Sequence, residues 1–452
     1  MIFHFSLYGF LKNQRYFEPF IVLAFLDKGF SFFLIGLLIG VREIATNFME
    51  IPTGALADTM GRRYSMIASH VAYIAAFICL GYFVNFYLLA MAMVFFSVGE
   101  AFRTGTHKAM IFSWLKANQR LDEKTYVYGY TRSWSKMGTA LSAVVAAVLL
   151  LTTQDYNMVF YVSAVPMSLG IFNFLCYPNC VESPSAPPSR LLKQGDCVHA
   201  PTSEVADRSM GVVVRTLWAG TKQAFTCKRL RSLLVEDISF EGMFKSTKDY
   251  LQPILQSGVV ALPFMLGFSD TQRTVMLVAV VYAVLSVMSS VASRRAAGFA
   301  KRYETDAAAT KALWTLFLAC FVVVVVGASL GWYFAVAAGF VAVAVFQNLW
   351  RPILVSRIAQ HTDDQTMTTV LSVESQGKTL MTAVMAPLIG FAVDYAGSFS
   401  EGLRYLPIAV LGLAVCAFFR LRRGYMGEDM PCVEVLEEGS EVAGTAKDGV
   451  AG

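Results

Sequence analysis

Apolar residues run through most of this 452-residue chain in long stretches, and polar positions gather in short breaks between them. Runs such as "TVMLVAVVYAVLSVMSSV" (274–291) and "LFLACFVVVVVGASLGWYFAVAAGFVAVAVF" (316–346) reach or exceed the roughly 20 residues a helix needs to cross a bilayer. The alternating segments of about ten residues that mark an outer-membrane barrel are missing. Reading helices between the charged breaks predicts about twelve spans, near 12–27, 32–56, 64–84, 86–114, 126–152, 156–177, 232–256, 270–292, 311–328, 331–358, 367–394 and 402–420. The expected fold class is an all-α polytopic membrane protein.

Composition agrees. Hydrophobic residues make up 56% of the chain and charged ones 15%, against about 25% charged in soluble domains, and the mean hydropathy is +0.53. The N-terminus "MIFHFSLYGFLKNQRYFEPF" lacks the ordered regions of a cleavable signal peptide, so the first span is expected to persist.

The net charge of +5 matters less than its placement. One set of breaks carries Arg62/Arg63, Lys116/Arg120/Lys124, segment 179–231, Arg294/Arg295/Lys301/Arg302 and Arg420/Arg422/Arg423. The alternate breaks, around Asn85, Asp155, Ser329 and Asp394, hold almost no Lys or Arg. By the positive-inside rule the first set is cytoplasmic, with both termini inside. Segment 179–231, rich in Pro, Ser and charge, is expected to be a flexible cytoplasmic linker. The expected organisation is an N-terminal six-helix bundle (1–178), that linker, a C-terminal six-helix bundle (232–423) and a disordered acidic tail (424–452). The halves show traces of a repeat: "YFEP" (16–19) against "YLQP" (250–253), and "EAFR" (100–103) against "NLWR" (348–351). "SRRAAGFAKR" stands where a second copy of the charged hinge at 54–63 belongs, without its acid or its glycine pattern.

That hinge, "GALADTMGRRYSM", resembles the loop 2–3 motif of the major facilitator superfamily, Gly-x-Leu-Ala-Asp-x-x-Gly-Arg-Arg/Lys. Gly54, Leu56, Ala57, Asp58, Gly61, Arg62 and Arg63 match, and Thr59 stands where a basic residue is common. The resemblance covers the whole chain and implies two pseudo-repeated six-helix bundles. It also implies that Gly54, Asp58, Gly61, Arg62 and Arg63 form a gating latch that clasps helix ends in one access state. A plain positive-inside anchor would explain the arginines but neither Asp58 nor the glycines.

Charges inside spans are candidates for function because each costs about 2.5–3.5 kcal/mol at mid-bilayer on insertion scales. In span seven Asp237, Glu241, Lys245, Lys248 and Gln252 share a stripe about 80° wide and roughly 22 Å long if the helix is straight. Arg42, Thr46, Glu50 and Thr53 share a face of span two, and Glu100, Arg103 and His107 one of span four. Arg132 and Lys136 lie in span five, Gln347, Asn348 and Arg351 in span ten, and Ser372, Glu374, Ser375 and Lys378 in span eleven. Residues near predicted ends (Arg15, Asp27, Lys28, Lys108, Asp237) read as snorkelling or paired end charges. The deeper cations outnumber the deep carboxylates, which suits a substrate bearing carboxylate, phosphate or sulfonate. Arg103, Lys245, Lys248, Arg351, Lys378, Arg132, Asn348 and Gln252 are therefore the expected substrate-binding set. Glu50, Glu100, Glu241 and Glu374 are the expected proton carriers.

No P-loop, HExxH, GxSxG or paired CxxC motif occurs, and the five histidines and eight cysteines are scattered. No enzyme activity, cofactor or metal site is expected, and the cysteines read as small hydrophobes. The expected function is proton-coupled secondary transport of a small anionic or zwitterionic solute by a monomer in the cell (inner) membrane, with the lipid bilayer and an ion gradient as its other partners and no nucleic acid. The alternatives are a proton-driven multidrug exporter, against which span five lacks a Gly-Pro antiporter motif, and a non-transporting receptor on the same fold.

Overall fold

The computed structural model describes residues 1–104, 106–120, 123–177, 222, 224–261, 267–362 and 366–421; at 51, 54, 55, 58, 59, 124–126, 128, 261 and 368 it describes the backbone alone. The segment expected as a linker lies outside these residues up to 221, and so does the tail expected at 424–452. Every regular element among the described residues is helical.

In the N-terminal part α1 (Ile2–Leu11), α2 (Ile21–Asp27), α3 (Phe32–Met60), α4 (Arg62–Tyr82), α5 (Phe86–Arg103), α6 (Thr106–Ala117), α7 (Lys124–Thr153) and α8 (Met158–Leu175) follow one another. Beyond the gap come α9 (Lys228–Thr247), α10 (Leu251–Ala261), α11 (Asp270–Ala300), α12 (Asp306–Ser329), α13 (Tyr333–Gln360), α14 (Met367–Phe399) and α15 (Leu406–Leu421). Ten segments among the described residues are long and apolar enough to cross a membrane. They correspond to ten of the twelve spans read from sequence.

The first and seventh spans are the exceptions, because both are broken. The first is preceded by α1, which the sequence reading took as a flank, and a 3₁₀ turn at Glu18–Phe20 restarts it with Pro19 in its first positions. In the seventh, a 3₁₀ turn at Lys248–Tyr250 separates α9 from α10. Pro253 supplies the cause: it has no N–H for the carbonyl four residues back, and its ring crowds that carbonyl. The straight 22 Å stripe expected along span seven is therefore divided. Span four also breaks, at Thr104, whose extended backbone ends α5. Asp394, expected in a loop, lies inside α14.

The described residues cluster into two compact units. The first takes in the described residues among 1–177, 249–286 and 383–395. Within it α1 lies against α7 at Gly9 and Gly138, where an added Cβ would strike the facing backbone. α3 approaches α14 as closely at Gly36, Gly40 and Gly390, the small-residue contact that lets membrane helices pack without a hydrophobic driving force. Asp394 closes this contact by capping the start of α3, its Oδ1 and Oδ2 accepting from the Phe32 and Phe33 amides at 3.1 and 2.8 Å. Gln252 is wholly buried: its oxygen accepts from the Val22 amide at 2.9 Å, and its nitrogen donates to the Glu18 carbonyl at 3.1 Å and the Tyr282 hydroxyl at 3.3 Å.

The second unit takes in the described residues among 222–248, 287–382 and 396–421. Phe240, Trp314, Phe317 and Trp350 form its buried aromatic centre, with Phe240 and Trp350 ring centroids 4.6 Å apart. The Trp314 indole donates to Glu236 at 2.5 Å, and Arg357 stands 3.8 Å from the same carboxylate, so that buried acid is engaged. Cys79, Cys176, Cys320 and Cys416 are free thiols, whereas Cys227 is disulfide-bonded, so the eight cysteines are not all unpaired small hydrophobes.

Candidate functional site

In the first unit the ends of α1, α5, α6 and α7 enclose a cavity of about 420 Å³. Lys12, Arg103, Lys108, Arg132 and Lys136 line it together with His107 and Tyr8, and no carboxylate does so among the described residues. Each cation has a local reason for being there. Arg132 and Lys136 are one turn apart on α7 and so share a face; both are exposed rather than packed. Lys12 follows the last turn of α1, where its ammonium sits 5.6 Å over the Tyr8 ring. Arg103 ends α5, a favourable place for a cation beside the helix's free carbonyls.

Glu100, one turn earlier, anchors the rear of this site. It is paired with Arg15 at 3.0 Å, with Arg103, and with the Tyr73 hydroxyl, which also accepts from the Arg103 Nε at 3.3 Å. One carboxylate thus fixes two guanidiniums, and Arg103 still reaches the cavity.

The second unit holds a different arrangement. Asp237 on α9 and Glu374 on α14 are both buried, at 0% and 1% exposure. Arg351 on α13 bonds Asp237 at 2.9 and 3.2 Å and also bonds Glu374. Lys378 reaches Glu374 at 2.6 Å and Asp237 at 3.7 Å. Glu241, one turn beyond Asp237, accepts from Gln347 at 2.6 Å. Two acids and two bases on three helices form a closed, electrically neutral set.

These geometries change several expectations. Arg351 and Lys378, expected as unmatched cations, are matched, because Asp237 is a buried member of the network rather than an end charge. Gln252, expected to bind substrate, has its amide committed to three partners in the other unit. The Asn348 amide donates to Ala344 on its own helix at 2.8 Å. Lys245 is half-buried and Lys248 is exposed at the helix break. Glu50 is half-buried near the end of α3. Arg42 pairs at 2.8 Å with its neighbour Glu43, an acid the face-by-face reading passed over. The residues brought together are Arg103, Arg132 and Lys136 in one place, and Glu374, Arg351 and Lys378 in the other.

In the charged hinge Gly61 has φ +97°, a conformation few other residues adopt, and it turns α3 into α4. Arg62 donates to the Ser113 hydroxyl at 2.5 Å and the Ala109 carbonyl at 3.4 Å on α6. Arg63 is buried and donates to the carbonyls of Leu175 and Tyr177 at 2.9 and 3.4 Å, capping the end of α8. The side chain of Asp58 and the surroundings of Gly54 lie outside the described residues. Between α6 and α7 Arg120 forks onto Glu123 at 2.6 and 2.7 Å, and this hydrogen bonding holds that carboxyl below its usual range.

A multi-pass helical bundle with charged clusters among its spans has the architecture of a membrane transporter. The sequence matches the Major Facilitator Superfamily over residues 13–373, and the chain belongs to that family. Its fold is similar to that of the nucleoside transporter NupG, at 12% identity, with 93% of this chain and 99% of that one covered and a TM-score of 0.68. A POT family transporter in complex with 5-aminolevulinic acid aligns at 13% identity over 92% and 95% of the two chains, with a TM-score of 0.63. A D-xylose-proton symporter aligns at 11% over 95% and 98%, with a TM-score of 0.60. At these identities the likeness is one of fold. None of the curated proteins matches the chain.

Proposed function

We propose that this protein is a proton-coupled secondary transporter of a small anionic or zwitterionic solute, working by alternating access and not as an enzyme. The observation that carries the reading is the cavity of about 420 Å³ in the first unit, where five Lys and Arg side chains converge without a lining acid among the described residues. Glu100 balances Arg103 from behind, while every charged side chain lining the cavity among the described residues is basic, and guanidinium and ammonium groups together suit carboxylate, phosphate or sulfonate oxygens. Its volume lies within the roughly 300–1,000 Å³ of small-molecule sites. Arg103 and Arg132 hold the anion in this reading, joined by Lys12, Lys108 and Lys136.

The proton is carried at the Asp237–Glu374 pair. Two buried carboxylates that share Arg351 and Lys378 are poised to exchange a cation contact for a proton, since neighbouring like charges disfavour double ionisation. Arg62 and Arg63, with Asp58, form the latch on the cytoplasmic side, where both termini lie. The two six-helix halves alternate about them.

The test is ligand stabilisation of purified protein in nanodiscs across carboxylates, phosphates, sulfonates, neutral sugars, nucleosides and organic cations. Anions alone should raise the melting temperature, and Arg103→Ala and Lys136→Gln should each abolish the shift. Stabilisation only by neutral or cationic solutes would overturn the anion reading. With the solute known, Glu374→Gln should retain binding and exchange but lose gradient-driven uptake.

A further inference from the structure

The sequence "SRRAAGFAKR" stands where the repeat reading expects a second charged hinge, without that hinge's acid or its glycine pattern. In the first-unit hinge Arg62 and Arg63 are taken up by Ser113 and by helix-end carbonyls. Arg294, Arg295 and Arg302 make no ion pair or hydrogen bond among the described residues. Instead they converge on one groove of about 700 Å³ in the second unit, between the last turns of α11 and the middle of α13.

The rest of that groove is apolar: Val287, Met288, Val291 and Phe299 on one side, Val345 and Leu349 on the other. Val287, Met288 and Val291 are 65%, 43% and 42% exposed, so protein does not cover them. Val287, Val291, Arg294 and Gly298 follow one stripe of α11, so Arg294 and Arg295 continue the apolar lining by about one turn, roughly 5–6 Å along the axis, and Arg302 follows just past the helix end. No carboxylate lines the groove among the described residues, and nearby Glu304 forms no ion pair among them.

An apolar trough ending in three unpaired guanidiniums matches a molecule with an anionic head and a hydrocarbon tail. A free phosphate would leave the trough in water, and a neutral lipid would leave the arginines unanswered. We propose that this groove holds an anionic phospholipid of the cytoplasmic leaflet, its phosphate on Arg294, Arg295 and Arg302 and one acyl chain along Val287, Met288, Val291 and Val345. Guanidinium groups fork onto phosphate oxygens, and basic pockets between helices on the cytoplasmic side recognise such heads. The site is separate from the solute cavity and does not depend on what is transported.

Native mass spectrometry of the full chain, titrated with phosphatidylglycerol or phosphatidylethanolamine of the same acyl chains, tests this. Phosphatidylglycerol should be retained over phosphatidylethanolamine. Each arginine changed to glutamine should lower its retention about fivefold, the factor corresponding to about 1 kcal/mol per basic residue at an anionic surface. Val291→Trp, which fills the trough and keeps every charge, should also lower it. Lys301→Gln, on the same turn but not lining the groove, should not. Equal retention of the two lipids by the wild type would overturn the proposal, as would unchanged phosphatidylglycerol retention in a folded R294Q/R295Q/R302Q protein. Displacement of the lipid by millimolar inorganic phosphate would overturn it in favour of a free-anion site. If the triple variant does not fold, the wild-type lipid comparison and Val291→Trp still decide the question.

Discussion

Replacing Arg351 with Met should destabilise the protein by leaving two buried acids to share the single charge of Lys378. Arg351 holds Asp237 at 2.9 Å and also bonds Glu374, and both carboxylates are almost completely buried. At an effective dielectric of about 20, a pair about 3 Å apart gains about 5 kcal/mol, and desolvation costs several kcal/mol per ion, so the intact pair is worth little net. Breaking it is different. Removing one partner of a buried pair costs about 3–5 kcal/mol, and the lower end applies here because the Arg351 side chain is itself 32% exposed. Met keeps most of the stem's volume, so the loss reports charge rather than a cavity. Adding Asp237→Asn should restore neutrality and recover about 2 kcal/mol, a coupling that a double-mutant cycle isolates. Equilibrium unfolding in mixed micelles, followed by fluorescence of the buried Trp314 and Trp350, measures both values. A double variant as unstable as the sum of its two singles would show that the four groups do not act as one neutral set.

Asp394→Ala removes the acceptors of the Phe32 and Phe33 amides, while Ser31 still caps Leu34, and should cost about 1–2 kcal/mol in the same unfolding measurement. Asp394→Asn should cost less, since an amide oxygen still caps. Gly390→Ala would drive a methyl into the Phe32 carbonyl and should cost about 1–3 kcal/mol by overpacking, whereas Gly298→Ala, with open space around it, should be close to neutral. Gln252→Leu leaves the Glu18 carbonyl and Val22 amide unsatisfied and should lower stability by about 1–3 kcal/mol, with no effect on anion affinity in the ligand screen.

The parts that were legible in the sequence share one property: their signal is local. Ten spans could be read because apolar length fixes a helix in lipid wherever it packs. Arg132 and Lys136 were found because residues one turn apart share a face on any helix. Lys12 was missed because it follows a helix that the apolar pattern joined to the flank of span one. Asp237 was misplaced because its depth was measured along a straight span seven, which a 3₁₀ turn at Lys248–Tyr250 interrupts. The partners of Gln252 and Asp394 had no local signal: they lie 230 and about 360 residues away in sequence. Glu43 sat beside its arginine, outside the one-turn spacing by which pairs were sought.

The Gln252 amide brings bonds from a 3₁₀ turn, from α2 and from α11 to a single small group. A joint of that form fixes position without fixing orientation, because all of its bonds meet near one point and exert almost no torque. The joint ties Glu18 and Val22, where the first span restarts, to α10 and α11 at one buried point. Orientation has to be set some distance away, at the Asp394 cap and at the stack of Phe32 on Tyr250, whose centroids are 5.4 Å apart.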